Sequence, residues 1–433
     1  MHTFVSRVLF LGVAATLVVS LSSCASFTRG EDDFYVSGGQ LYRDDDSFTM
    51  RAFQNHEVGA GKGSKATMLP AMGKIAFVGG NTVCLDLAGF NADGTEINPE
   101  DVATVGIIAD RADTQGMGVM VRVLGESTDA AFRQNAVKTA ARALQDEARA
   151  VYWIDGENAS ELAADFKKIA DNVVVACPSG CDLRVTDVVP AEQPGDAVLV
   201  VGGFPEDLEA VDVNFVLEDD AAQYEALDMA LMTEEEKAPW TPDNSVLSEE
   251  ERAEGFVALF NGKDLDGWYV RGDNASGFQV TDYGFIEWVQ EGAYALLTAR
   301  RYGDYILRLE YKILEGGNSG LHLRAPRDCR NSYIGMEFQI LGDHGTEPTD
   351  DTTGALYKQQ APLVNAANPG GEWNALEIRL EGTKIHAVLN GQVIHDFDMA
   401  DHEDLAHRNQ SGFIGLQDHD DYVAFRSIRI KEL

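Results

Sequence analysis

Glu337 and Gln339 sit two residues apart in "GMEFQILGDHG" (Gly335 to Gly345), with Asp343 and His344 just beyond them. A carboxylate and an amide on one strand face, with an imidazole close behind, can abstract a proton, grip a hydroxyl or hold a cation. Two further stretches carry related side chains. In "EGGNSGLHLRAP" a glycine turn leads through Asn318 into a strand. Alternation there sets His322 and Arg324 on one face and Leu321 and Leu323 on the other. The same rule puts Glu337 and Gln339 opposite Phe338 and Ile340. In "IGLQDHDDYVAFR" Gln417, Asp418 and His419 close a strand. Three strands thus offer polar faces bearing Arg, Glu, Gln and His, which a concave sheet would gather in one cleft. Alternation alone fits equally well with three half-buried strands that simply face water. His322, His344, His386, His395, His402, His407 and His419 all fall in this half, most of them in surface or turn settings.

The elements that must position these residues read as an all-β domain. "DYILRLEYKI", "NALEIRLEGTKIHAVLNGQVI" and "VAFRSIRIKEL" alternate strictly, with an Asn-Gly turn signal in "LNGQ". Many such strands at short spacing predict a β-sandwich or jelly roll over 255–433. The preceding half has a different period. "VCLDLAGF", "GVMVRVLG", "AVYWIDG", "NVVVACP", "DAVLVVGG" and "VDVNFVLED" are apolar strands, and "PEDVATVGIIADRADTQG", "AFRQNAVKTAARALQDEA" and "ASELAADFKKIAD" are amphipathic helices between them. That alternation predicts an α/β domain over 74–232 built on a parallel sheet. Five or six units are countable, which fits an open doubly wound sheet or a degenerate β/α barrel. "FYVSGGQLYRDDDSFTMRAFQNHE", in an opening segment 24–73, resembles the hairpin that precedes the first strand of glycosidase-type barrels. In a barrel, Arg122, Glu126, Asp155 and Glu157 would lie at the C-terminal ends of strands, where such folds place catalysis. An acidic stretch with two prolines, 233–254, reads as the linker.

The 433 residues carry a formal net charge of -37. So large a negative excess argues against nucleic acid and anionic membrane surfaces as partners. At the N-terminus one Arg precedes an apolar run from Val8 to Leu21, too short to span a membrane comfortably and suited to a signal-peptide core. "LSSC" resembles a bacterial lipoprotein cleavage box. The resemblance implies a leader over 1–23, lipidation of Cys24 and a membrane-anchored protein outside the cytoplasm, on the periplasmic side or at the cell surface. Cys177 and Cys181 in "CPSGC" could close a small loop in such a compartment, and Cys84 reads as a buried thiol.

"FVALFNGKDLDGW", "GNSGLHLRAP", "GMEFQILGDHG", "TGALYKQQAP", "GEWNALEIRLEGTKIHAVLNGQVI" and "GFIGLQDHDDYVAFRSIRIKEL" follow one another from Phe256 to Leu433. Together they resemble the 3-keto-disaccharide hydrolase domain family, formerly a domain of unknown function. The resemblance implies a concanavalin-like jelly roll and action on 3-keto-glycosides, sugars already oxidised at C3. A C3 carbonyl acidifies the C2 proton, so a base can remove it and the enolate can expel the group at C1, with or without rehydration. That chemistry needs a base and a donor for the enolate oxygen, not two carboxylates flanking the glycosidic oxygen. On these motifs His419 and Glu337 become the candidates for base and acid, and Arg324 and Lys358 the candidates to stabilise the enolate. Asn318, Gln339 and Gln417 become the candidates to position hydroxyls. No cofactor is implied with certainty; a divalent metal, held through Glu337, Asp343 or His344, is the alternative to the cations. The sequence departs from the family where Gly usually follows "LQDH" and Asp420 and Asp421 stand here, and Phe338 stands where Val or Tyr is usual. A lectin-like glycan-binding module without catalysis is the other reading of the same fold.

Overall fold

The computed structural model describes residues 33–433 except 44, 55–64, 125–127, 188, 191–192, 206–207, 209–212, 219–220, 272–276 and 291–293. Glu126, Cys24 and the leader lie outside the described residues.

Eight parallel strands close into a barrel: Arg51–Gln54, Thr82–Asp86, Gly118–Arg122, Ala150–Trp153, Val174–Cys177, Leu183–Thr186, Val198–Val201 and Asn214–Glu218. The last pairs with the first, Phe215 opposite Arg51 and Leu217 opposite Phe53. Each strand is short and nearly continuous in apolar residues because both of its faces are buried. One set, including Ala52, Cys84, Met120, Val151, Val174, Leu199 and Val216, fills the barrel interior. The alternate set, including Phe53, Val83, Val119, Tyr152 and Val175, packs outward under the helices. The hairpin Tyr35–Ser37 with Gln40–Arg43 precedes the barrel, and Phe34 and Leu41 join the interior cluster.

This closed barrel replaces the five or six units read from sequence. The strands Arg51–Gln54 and Leu183–Thr186 escaped that count because polar residues interrupt them, Arg51 and Gln54 in the first and Arg184 and Thr186 in the second, and no helical pattern sets off the second. Helices Lys65–Phe77, Pro99–Thr114, Ala130–Leu144 and Ala159–Lys167 follow the first four strands, and Ala221–Ala230 follows the eighth. Asn98 and Asp129 start two of them by accepting backbone N–H groups with their side chains. Between the fifth and sixth strands the chain turns through a Cys177–Cys181 disulfide instead of a helix. Cys84 is buried and outside the disulfide.

The C-terminal half is a sandwich of two antiparallel sheets. One runs Phe278–Val280, Ile286–Trp288, Val423–Glu432, Tyr305–Ile313, Trp373–Glu381, Lys384–Leu389 and Gln392–Asp398, with Val257–Ala258 also paired to the 423–432 strand. The other runs Trp268–Arg271, Ala295–Thr298, Phe413–Gln417, Asn318–Ala325 and Met336–Leu341. In the 305–313 strand every second residue, from Tyr305 to Ile313, is buried between the sheets. Each fully buried aliphatic or aromatic side chain of this kind contributes roughly 1.5–3 kcal/mol.

The two halves meet where the barrel strands begin. Arg327 pairs with Asp228 and Glu236, and Arg301 also pairs with Asp228. Arg51, opening the first strand, pairs with Asp328. The Arg330 N–H donates to the Gln115 carbonyl at 2.9 Å, while Cys329 and Ile334 complete the barrel's outer core. The acidic segment read as a linker takes part in this contact through Glu236. Capping boxes at Thr233 and Ser248 start two short helices in it. The C-terminal ends of the barrel strands thus point away from the sandwich.

Candidate functional site

The five-stranded sheet carries the site on its outer face. In an antiparallel pair, directly opposed residues share a face. His322 is opposed by Glu337 and Gly320 by Gln339 across one pair, and His322 by Gly415 across the next. Further along the sheet, Gln417 is opposed by Ala295, and Arg271 also opposes Ala295. Glycine at 320 and 415 makes the room. A Cβ on Gly320 would stand 2.5 Å from Glu337 Oε1, and one on Gly415 would stand 3.1 Å from His322 Nδ1.

Glu337 is the buried acid of this face, 3% exposed. The Ser332 hydroxyl, on the short helix Asn331–Ile334, donates to its Oε2. Burial pushes its pKa up. Hydrogen bonds from Ser332 and Gln417 and the charge of His419 pull it back, Asp351 adds to the rise, and the net direction is upward. A carboxylate poised in this way is a stronger base than an exposed one.

His322 lies beside it, fully buried. Its Nε2 stands 3.9 Å from Glu337 Oε2 and has no hydrogen-bond partner among the described residues. The other ring nitrogen fixes the tautomer. Arg271 donates to Asn331 Oδ1 at 2.6 Å, which leaves the Asn331 amide N–H to donate to His322 Nδ1 at 3.1 Å. Nδ1 is therefore the acceptor, and the proton is on Nε2. Burial, with the Arg271 charge nearby, pushes the imidazole down to about 3, so it is neutral near pH 7. Tyr294 stacks over the ring at 6.1 Å.

Around this pair the other residues named from sequence fall into two groups. Gln417 reaches Glu337, and the exposed His419 stands near enough to act on its charge. Gln339, 3% exposed, donates to Asn318 Oδ1 at 3.3 Å and keeps its own Oε1 unpartnered. The Asn318 N–H donates to Asp421 at 2.9 Å. At the position where the family pattern has Gly, Asp420 takes a φ of 61°, a left-handed conformation that Asp tolerates better than most residues. The loop beside His419 thus keeps a turn of the kind glycine makes.

Arg324, Lys358, Asp343 and His344 are engaged elsewhere. Pairing with the 413–417 strand shifts register between His322 and Ala325, and Arg324 takes a φ of 52°. The bulge undoes the shared face that alternation predicted. The Arg324 guanidinium is buried against the Gly303 and Gly382 carbonyls, Gln410 and Asp304. Lys358 pairs with Asp351 at 2.7 Å, beside the Tyr357 ring. Asp343 accepts from the Thr353 N–H and the Asn365 amide, and His344 Nδ1 lies 2.6 Å from the Ala367 carbonyl. Those contacts hold the 343–367 loops together. Among the described residues no group of three or more His, Cys, Asp or Glu side chains is placed to hold a metal ion.

Residues 255–431 match the model of the 3-keto-alpha-glucoside-1,2-lyase-like domain family. The sandwich is a domain of that family. A 3-keto-disaccharide hydrolase from Bacteroides thetaiotaomicron is 28% identical over 231 residues, covering 42% of this chain and 79% of the relative. Among solved structures, one from Parabacteroides distasonis, described as a glycosyl hydrolase, is 28% identical, with a TM-score of 0.39, over 43% of this chain and 98% of its own. A Bacillus licheniformis β-glucanase is 12% identical, with a TM-score of 0.30, over 41% and 97%. The family model leaves the barrel outside its span. Within the lyase-like domain, His322 is the residue that alternation put on a polar face but that sequence reasoning gave no role. Its signal was the antiparallel register, which sets it opposite Glu337 once the two strands are known to be neighbours.

Proposed function

We propose that the lyase-like domain cleaves 3-keto-glycosides by removing the proton at C2 and expelling the group at C1. The observation that carries this reading is the Glu337–His322 pair, a buried carboxylate 3.9 Å from a neutral imidazole whose Nε2–H is unpartnered. The proton on C2 and the oxygen on C3 of a 3-keto sugar are separated by a similar span, so one group can reach each. Glu337 takes the C2 proton, and the C–H electron pair delocalises onto the C3 oxygen. His322 Nε2–H donates to that oxygen as charge develops. A neutral donor serves here because it need not lose its own proton. The pair then returns to form the C1–C2 double bond, and the C1–O bond breaks with its electrons on the leaving oxygen. His419, exposed beside the pair, protonates it in this reading. The product is a 2-hydroxyglycal ketone, and water adding at C1 gives the 3-keto sugar. Gln339, Asn318 and Gln417 serve the remaining hydroxyls. The sandwich thereby acts as a carbohydrate-active enzyme on oxidised glycosides.

The test is direct. Purified protein should consume a 3-keto-disaccharide and, in deuterated water, exchange the C2 proton. Glu337→Gln and His322→Phe should each lower turnover by at least about a hundredfold. Unchanged rates in both variants would remove the pair from the mechanism. Binding of unoxidised glycan with no turnover of the ketone would favour the lectin-like reading.

A further inference from the structure

We infer that the C-terminal mouth of the barrel is a second carbohydrate site, one that grips a neutral, polyhydroxylated sugar unit independently of the chemistry in the sandwich. The interior of the barrel is apolar up to Ala52, Cys84, Met120 and Val151. Two residues further along each strand, alternation points Gln54, Asp86, Arg122 and Trp153 into the same bore. Neighbouring strands hold them level, with Asp86 beside Arg122 and Arg122 beside Trp153.

These four and Asp155 form one network. Arg122 Nε donates to Asp155 Oδ2 at 2.8 Å, and another of its nitrogens lies 3.6 Å from Asp86 Oδ1. Gln54 Nε2 reaches Asp86 Oδ2 at 3.5 Å. The Arg122 guanidinium sits 5.2 Å from the centre of the Trp153 ring. From outside, buried Arg133 donates to the carbonyls of Asp155 and Glu157 and fixes the turn that carries the acid. An ion cluster of this kind adds little to stability over an apolar layer of the same volume.

What the layer lacks points to its ligand. Trp153 is 6% exposed, yet among the described residues its indole N–H has no partner, and neither has Asp155 Oδ1. The first needs an acceptor and the second a donor. A hydroxyl is both at once. With two carboxylates and one guanidinium the layer is net negative, and the cation is already engaged, so an anionic ligand is disfavoured. A sugar, with hydroxyls on adjacent carbons, meets both needs without charge. The sandwich docks at the opposite end of the barrel, so this site and the Glu337–His322 pair are distinct.

The experiment is calorimetric titration of the purified full chain with unoxidised α- and β-linked glucose disaccharides and tetrasaccharides, which carry no ketone for the other site to act on. Saturable binding is expected, with a change in tryptophan emission. It should persist within about twofold in Glu337→Gln and weaken roughly tenfold in Trp153→Phe and in Asp155→Asn, as loss of one buried hydrogen bond implies. Trp153→Phe removes the N–H and leaves a smaller aromatic ring in the bore, so it reads the loss of that donor even if Asp155→Asn releases Arg122, provided circular dichroism shows the barrel folded. Absence of saturable binding at millimolar sugar overturns the inference. So does binding that is unchanged by Trp153→Phe, or that is lost in Glu337→Gln alone.

Discussion

Replacing Glu337 by Gln should stabilise the protein while abolishing turnover, and the pH dependence of that gain exposes its cause. The carboxylate is 3% exposed, and burial is the leading reason that its pKa lies above the ordinary value. A group whose folded pKa is raised binds its proton more tightly in the native state. Its contribution to stability is therefore full below the unfolded value, near 4.3, and is lost as pH rises through the folded value. At neutral pH the charged acid costs about 1.4 kcal/mol for each unit of displacement. The amide has no such cost and keeps the contacts. Its oxygen accepts from Ser332, and Gln417, whose Oε1 is unpartnered, can turn to accept from the new N–H. The variant should melt above the wild type between about pH 6 and 8, by roughly 2–4 °C for each kcal/mol in a domain of this size. The two melting curves should converge by about pH 4. Turnover should fall by at least about a hundredfold. Calorimetric melts of both proteins across this range, with turnover assayed at each pH, supply the data. A gap that does not change with pH, or a wild type more stable at pH 8, would refute the claim that the active acid is held charged at a cost to the fold.

Other outcomes follow from the same geometry. Gly320→Ala should cut turnover by at least about tenfold, because its Cβ would press within 2.5 Å of Glu337 Oε1 and small displacements of a catalytic group are costly; a rate within twofold of wild type would contradict that packing. Arg324→Ala should destabilise the sandwich by about 1–3 kcal/mol for each of the Gly303 and Gly382 carbonyls left without a donor, while leaving kcat per folded molecule nearly unchanged. A selective loss of kcat with an unaltered melt would return Arg324 to the mechanism. Lys358→Ala should shift turnover less than about fivefold, since its partner is the rim acid Asp351 and exposed pairs are weak. Cys24→Ser should abolish incorporation of labelled fatty acid and release the protein from membranes, if the "LSSC" box directs lipidation as its resemblance implies; labelling that survives the change would remove the anchor.

The sequence alone carried whatever depends on local periodicity. Alternation set Glu337 and Gln339 on one face and predicted the sandwich strands. Apolar runs separated by amphipathic helices predicted the α/β half, and motif order marked the C-terminal family. Tertiary structure decided what depends on neighbours far along the chain. It closed the barrel by adding two four-residue strands that no local pattern marks. It set His322 against Glu337 through a register between strands, and it routed Arg271 through Asn331 to choose the imidazole tautomer. One bulge turned Arg324 from the site into a structural clamp. The division has a physical cause: which way a side chain points along a strand follows from a two-residue period, whereas which strand lies beside it, and where that period breaks, is fixed by the packing of the whole domain.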